Sequence, residues 1–209
     1  MDTMDQLALR AKTDKASDGH NYTKVYETYL EKHRQDPLLV VELGIGGYHY
    51  PDRGGESLRL WFDYFPHARI VGVDIYDKPG MGNDRVHIVK GGQNDPEIMT
   101  QIVQALGQPD LVIDDASHRC DLTISAFETW FPALKPGGLY FCEDVHTSFW
   151  PDEYKGNPDP LAPGTTLKYF QELTPQLSQD SMKAEYRNHF AGYLDFIHFY
   201  RNLVIIKKA

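Results

Sequence analysis

A chain of 209 residues with 41% hydrophobic and 24% charged side chains has the make-up of a globular domain with a sizeable core, which excludes extended disorder. The formal net charge of -9, with Lys and Arg scattered rather than massed in a stripe, argues against a nucleic-acid partner. No apolar run is long enough to span a bilayer, Met1 to Arg10 lacks the apolar stretch of a secretory signal, and Cys120 and Cys142 read as reduced thiols, so a cytoplasmic protein is expected.

The first segment, residues 1–35, reads as a polar helical arm in two pieces around Thr13 to Tyr22, ahead of a main domain over 36–209, the whole forming one globular domain. Val25, Tyr29 and Leu30 make an apolar stripe at helical spacing, with Tyr22 and Tyr26 beside it. The turn between the pieces is denser in side-chain donors than a connector needs, as for a segment that folds over a ligand. Leu38 to Leu43 is a continuous apolar and β-branched run with one acid, Glu42, and so a strand buried on both faces. Gly44-Ile45-Gly46-Gly47 follows at once, glycines that permit positive φ and a close backbone approach to a ligand. The dinucleotide pattern GxGxxG is incomplete, because His49 stands where its last glycine belongs. Gly54-Gly55-Glu56-Ser57 then opens a helix that turns Leu58, Leu60, Trp61 and Tyr64 to the sheet, and Ser57 with the free amides there suits an anionic group. Ala68 to Ile75 is a second strand ending in Asp74, an acid placed to accept both hydroxyls of a ribose.

Arg85 to Lys90 is a third strand, left through Gly91 to Asp95 into a helix from Pro96 to Leu106. Leu111 to His118, LVIDDASH, is an apolar run that stops at Asp114 and Asp115 with His118 behind. Leu139 to Thr147, LYFCEDVHT, repeats the pattern with Glu143, Asp144 and His146. In a parallel sheet these two strand ends share a rim, so four carboxylates and two histidines converge, a costly concentration of like charge unless a cation lies among them. Capping of the following helix, from about Cys120 to Phe131, would account for Asp115 or Ser117, but not for the whole set. Trp150 to Gly164 is rich in Pro, Gly and Asp without clear periodicity and reads as a mobile loop over the rim. Thr165 to Leu173 is helical, and Asp195 to Tyr200 with Leu203 to Lys207 forms a tight antiparallel hairpin.

In this order VELGIGG, GVDIYDK, GGQNDP, LVIDDASH, LKPGGLYFCEDVHTSFW and the C-terminal hairpin resemble the class I S-adenosylmethionine-dependent methyltransferases. Within them the resemblance is to the metal-dependent O-methyltransferases that act on sugars of macrolides and other glycosylated natural products, the mycinamicin 2''-O-methyltransferase and rhamnosyl O-methyltransferase kind. It covers roughly residues 10 to 208, and DDxSH followed by EDxxTSxW is its most specific part. The resemblance implies an α/β fold with a Rossmann-like, doubly wound seven-stranded sheet whose last strand is antiparallel. It implies metal ligation by Asp115, Glu143 and Asp144 and a general base at His118. It places the S-adenosylmethionine contacts on Glu42, Gly44, Gly46, Gly47, Ser57, Asp74, Gln93 and Asp114. The implied cofactors are S-adenosyl-L-methionine and Mg²⁺, with Mn²⁺ or Ca²⁺ as substitutes. The implied setting is antibiotic or other natural-product biosynthesis, with a small-molecule glycoside as acceptor, no nucleic acid, no membrane, and room for a homo-oligomer. Two departures stand out. Relatives with a large N-terminal auxiliary domain are much longer than this chain, and His146 occupies a place where a different polar residue is expected.

The chemistry suits these residue types. A sugar hydroxyl is a poor nucleophile near neutral pH, and a divalent ion chelated by two neighbouring hydroxyls both fixes the acceptor and lowers its pKa, leaving His118 a softened proton to remove. A catechol presents the same pair of oxygens and is the nearest alternative acceptor. Asp115, His118 and His146 also imitate the two-histidine, one-carboxylate set of an iron oxygenase, but such an enzyme needs no nucleoside site. A non-catalytic nucleoside-binding module would not need the second acidic rim.

Overall fold

The structure, a computed structural model, describes residues 2–159 and 162–209; Pro160 and Leu161, within the stretch expected to form a loop, lie outside the described residues, as does Met1. The chain divides into two compact units, residues 1–92 and 93–209.

In the first unit, β1 (Leu39–Leu43) is buried at all five positions, as a run of apolar and β-branched side chains with no polar alternation requires. It pairs in parallel with β2 (Arg69–Asp74), which pairs in parallel with β3 (Val86–Lys90). Ahead of them, α1 (Met4–Ala11) starts at a capping box in which Thr3 and Gln6 satisfy each other's backbone amides. It packs on α3 (Glu56–Tyr64), which buries Leu58, Leu60, Trp61 and Tyr64 as the sequence indicates. In α2 (Thr23–Leu30) the outcome differs from expectation. Tyr22, Tyr26 and Leu30, spaced by four, make the buried stripe, while Val25 and Tyr29 are only partly covered. A polar arm with aromatics on adjacent faces offers two stripes of similar hydrophobicity, and the larger rings win the core, Tyr26 packing against Trp61 with ring centroids 5.3 Å apart.

The second unit begins with α4 (Pro96–Leu106), whose N-cap Asp95 accepts from the amides of Glu97 and Ile98. β4 (Leu111–Asp114) pairs in parallel with β5 (Leu139–Cys142), and α5 (Cys120–Trp130) lies between them in sequence. α6 (Thr166–Leu173) leads through 3-10 turns to the hairpin of β6 (Leu194–Tyr200) and β7 (Leu203–Lys208). β7 runs antiparallel to both β5 and β6. Phe127 is the centre of this core, in ring contact with Phe131, Tyr140, Phe170 and Phe190 at centroid distances of 4.8 to 5.2 Å. The sheet order is β3-β2-β1-β4-β5-β7-β6, the expected Rossmann-like sheet of seven strands with its last strand antiparallel. Beyond β5, Asp152–Tyr154 forms a 3-10 turn, and Gly156 and Asn157 donate back to Trp150 and Ser148, so the start of the expected loop is hydrogen-bonded structure.

The end of α3 is held by two arginines from outside the helix, Arg34 donating to the Tyr64 carbonyl at 3.2 Å and Arg85 further along. Arg85 donates to the carbonyls of Phe62, Phe65 and Ala68 at 2.9 to 3.1 Å, tying the last turn of the helix to the segment that leaves it. Arg85→Ala is expected to lower unfolding stability by about 2 kcal/mol, seen as a lower urea midpoint at unchanged slope.

Candidate functional site

The first unit assembles the residues expected to hold a nucleoside. Glu42 is the next-to-last residue of β1, with no exposed surface, and its carboxylate accepts from Ser57 Oγ at 2.8 Å and Trp61 Nε1 at 3.1 Å. Its other oxygen is 3.7 Å from Nζ of the equally buried Lys15. The turn between α1 and α2 thus reaches the strand through Lys15. Asp5 holds that turn from the other side, accepting from the Ser17 amide, the Ser17 hydroxyl and the Thr23 hydroxyl at 2.7 to 2.8 Å. Burial opposes the Asp5 charge, but these bonds outweigh it and leave the acid below the ordinary carboxylate range. The Ser57 hydroxyl, expected at an anionic ligand, is therefore directed to Glu42. Asp74 closes β2 with each oxygen on a backbone amide, Oδ1 on Tyr76 at 2.8 Å and Oδ2 on Ile45 at 3.2 Å. A carboxylate has about four acceptor positions, so capacity for a ribose remains. Gly44, Gly46 and Gly47 all take positive φ, as a tight turn at this strand end requires.

The second unit assembles the acidic rim. Asp114, at the end of β4, accepts from Tyr140 Oη at 2.9 Å and Gln93 Nε2 at 3.2 Å. Burial raises its pKa, the Tyr140 hydroxyl and the Ala116 amide pull it down, the Asp115 charge raises it again, and the balance stands at about 7. Gln93 is fixed in turn, taking the Ser117 amide on Oε1 and the Trp130 indole on its main-chain oxygen. Two residues expected to contact one cofactor thus form a single bonded pair.

Among the described residues, Asp115, His118 and Asp144 bring ligand atoms within 4.8 Å of one another. His118 Nε2 is 3.7 Å from Asp115 Oδ1 and 3.6 Å from Asp144 Oδ2. The expected metal set included Glu143 and left His118 as base; Glu143 is buried and its carboxylate is outside this group. Both acids lie beyond β5, and Asp144 takes the left-handed conformation, which breaks the extended path of the strand between them. His146 is also outside it, with Nδ1 3.8 Å from Asp144 and its ring edge-on to Trp150 at 4.8 Å. The gathered set therefore has one histidine and two carboxylates, against the oxygenase triad. Nor is Asp115 a cap for α5, which starts at Arg119 without any side-chain cap bond.

Both His118 and Asp144 take the left-handed conformation, with φ of 55° and 53°, unusual for side-chain-bearing residues and found where surrounding structure enforces it. Thr147 is that enforcement. Its buried hydroxyl is 2.9 Å from the carbonyl oxygens of both His118 and Asp144, so one proton is shared by the two left-handed residues. Sequence reading missed it; the threonine four places after Glu143 was the available signal. The thiols take no part: Cys142 is buried, and burial together with the charges of Asp114, Glu143 and Asp144 pushes it well above the usual thiol range.

No family model matches the chain. It is 38% identical over 208 residues to the 8-demethyl-8-(2-methoxy-alpha-L-rhamnosyl)-tetracenomycin-C 3'-O-methyltransferase of Streptomyces olivaceus, covering 98% of this chain and 53% of that protein. It is 34% identical over 211 residues to the mycinamicin VI 2''-O-methyltransferase of Micromonospora griseorubida, covering 99% of this chain and 52% of that protein. The structure of MycE methyltransferase from the mycinamycin biosynthetic pathway, in complex with Mg, SAH and mycinamycin VI, superimposes with a TM-score of 0.94 at 32% identity over 100% of this chain and 54% of that one. The chain thus spans about half the length of the curated relatives it matches.

Thr147→Val is expected to cost about 1 kcal/mol of stability, because the His118 carbonyl loses its side-chain donor while that of Asp144 keeps only the Thr147 amide at 3.1 Å, and to weaken Mn²⁺ binding measured by electron paramagnetic resonance. Thr147→Ser should retain both. A folded Thr147→Val with undiminished Mn²⁺ affinity would show that the hydroxyl does not hold the rim.

Proposed function

We propose that this chain, which has a class I methyltransferase fold and is related along its whole length to named sugar O-methyltransferases, is an S-adenosylmethionine- and Mg²⁺-dependent O-methyltransferase for a sugar hydroxyl of a glycosylated natural product. The observation that carries the reading is the convergence of Asp115, His118 and Asp144 at one strand rim of a chain with these relatives. Residues 1–35 are read as the helical arm of a methyltransferase domain over 36–209. A small-molecule acceptor and a cytoplasmic setting go with this reading: no helix among the described residues is long and apolar enough to cross a membrane, and a charge of -9 gives no general attraction to phosphate backbones.

The donor set fits a hard divalent ion. Asp115 and Asp144 offer carboxylate oxygens on partly exposed side chains, which suits an ion that keeps open positions for an acceptor. When bound, the methyl donor supplies an activated methyl on its sulfonium and the metal supplies a Lewis acid that acidifies a coordinated hydroxyl. His118 is assigned as the base, its Nε2 taking the hydroxyl proton as the oxygen gains the methyl. Mg²⁺ takes oxygen ligands, whereas imidazole ligation belongs to zinc, copper, iron and nickel, so with Mg²⁺ the histidine has its lone pair for proton transfer. Glu42, Gly44, Gly46, Gly47, Ser57, Asp74, Gln93 and Asp114 are assigned to the donor, Glu42 and Ser57 by bracing its turn and Asp74 by accepting from the ribose. Glu143 keeps its assignment to the metal through the resemblance alone.

Labelled S-adenosylmethionine with a rhamnosyl glycoside should give methyl transfer that stops in excess chelator and returns with Mg²⁺. His118→Ala should lower the rate by roughly 10² to 10⁴ while Mn²⁺ affinity holds. Loss of Mn²⁺ binding in that variant would make His118 a ligand instead of a base. Turnover in chelator, or transfer to a simple catechol and not to the glycoside, would overturn the proposed reaction.

A further inference from the structure

Lys78 follows Asp74 by four residues, in a stretch where Ile75, Tyr76, Asp77 and Pro79 are all exposed, yet its own side chain is fully buried. The ammonium donates to three main-chain oxygens, those of Tyr48 at 2.6 Å, Tyr50 at 2.8 Å and Arg53 at 3.1 Å. Three protons meet three carbonyls of a single loop, and among the described residues no carboxylate pairs with the charge. A buried cation without a counter-charge is costly unless its surroundings supply full solvation. Here the loop backbone is that solvation.

The loop has little else to hold it. Tyr48 to Arg53 are exposed, Tyr48 by 80% and in the left-handed conformation, so no side chain of the loop anchors it in the core. Its two ends are nevertheless clamped to the glycine turn. A Cβ on Gly47 would run into the carbonyl of Arg53, and one on Gly54 would come within 2.5 Å of the carbonyl oxygens of Ile45 and Gly46. The Gly55 amide donates to Ile45 O at 2.7 Å. A displacement of Arg53 is therefore transmitted to Gly46 and Gly47, because there is no space between the two segments to absorb it. The strand exit that ends in Asp74 thus grips this segment twice, through the Ile45 amide on Asp74 and through the carbonyls of residues 48, 50 and 53 on Lys78.

We propose that Lys78 is a positioning residue for the methyl donor, holding residues 44–54 in the shape the donor's nucleoside requires before it arrives. The inference rests on the methyltransferase reading above. Lys78 touches neither donor nor acceptor in this account and acts through the glycine turn.

The test measures S-adenosylhomocysteine binding by calorimetry, with Mn²⁺ binding and trypsin cleavage after Arg53 as companions, in the wild-type chain and in Lys78→Met. Losing the three donors should weaken S-adenosylhomocysteine binding by about tenfold or more, as expected when a preorganised site must be ordered on binding. Mn²⁺ affinity should hold, cleavage after Arg53 should accelerate, and the KM for S-adenosylmethionine should rise more than kcat falls. Methylammonium added to Lys78→Ala should restore affinity by refilling the carbonyl cage. A Lys78→Met protein that is cut faster after Arg53 but binds S-adenosylhomocysteine like wild type would make the tether purely structural and overturn the proposal. Should the variants fail to fold, amide exchange in the wild type decides: protection of residues 48–54 in the ligand-free protein supports preorganisation, and exchange that slows only when S-adenosylhomocysteine is added overturns it. A wild-type chain that does not bind S-adenosylhomocysteine at all would overturn the methyltransferase reading, and this inference with it.

Discussion

Glu42 stands near the end of a strand whose every residue is buried, and its carboxylate meets a serine, an indole and a lysine. A charge so placed is tolerated only because those partners are held in position, so the residues that supply them are constrained as tightly as the acid. Ser57 and Trp61 come from α3 and Lys15 from the turn after α1, which makes one side chain the point where arm, strand and helix are joined. The same constraint recurs at the next strand ends. Asp74 is satisfied by the amides of Ile45 and Tyr76, and Asp114 by Tyr140 and Gln93. In each case the acid shapes the segment that serves it: at Asp74 it sets the glycine turn, and at Asp114 it fixes the residue that opens the second unit.

Much of this was legible because it is periodic or covalently local. Continuous apolar runs ending in acids marked β1, β2, β4 and β5, and the Asp95-Pro96 start of α4 and the hairpin at Arg201-Asn202 were readable from turn and cap chemistry. The meeting of Asp115, His118 and Asp144 was expected from two parallel strand ends that share a rim. What escaped was long-range or conformational. Lys78 and its three carbonyls are 25 to 30 residues apart, and no pattern in composition announces a lysine that is drawn inward. The tyrosine stripe of α2 depended on which ring could meet Trp61. Glu143 and Asp144 are indistinguishable as letters, and only the left-handed turn at Asp144 separates the buried acid from the one that joins His118.

Left-handed backbone at His118 and Asp144 explains why a rim of acids is followed by a threonine rather than by any small residue. Neither position is a glycine, so each conformation is disfavoured and must be held from outside. The Thr147 hydroxyl reaches both carbonyls, and a methyl-bearing side chain of the same volume could not. The two residues that the proposed reaction would use most directly are thereby tied to each other through a third that carries no charge.

The two sets of acids differ in burial, and under the proposed reaction the difference tracks what each would have to do. Glu42 and Asp114 are buried and bonded to fixed side chains, which suits groups that shape a platform and do not change during turnover. Asp115, His118 and Asp144 keep 15 to 22% of their side-chain surface open, and their mutual distances of 3.6 and 3.7 Å exceed hydrogen-bond length. Partly exposed groups can admit an ion and an acceptor and release a product, whereas a rim buried as deeply as Asp114 would first have to open. Under the proposed reaction the buried acids would serve the methyl donor and the partly exposed rim the metal and acceptor, a division that burial draws residue by residue.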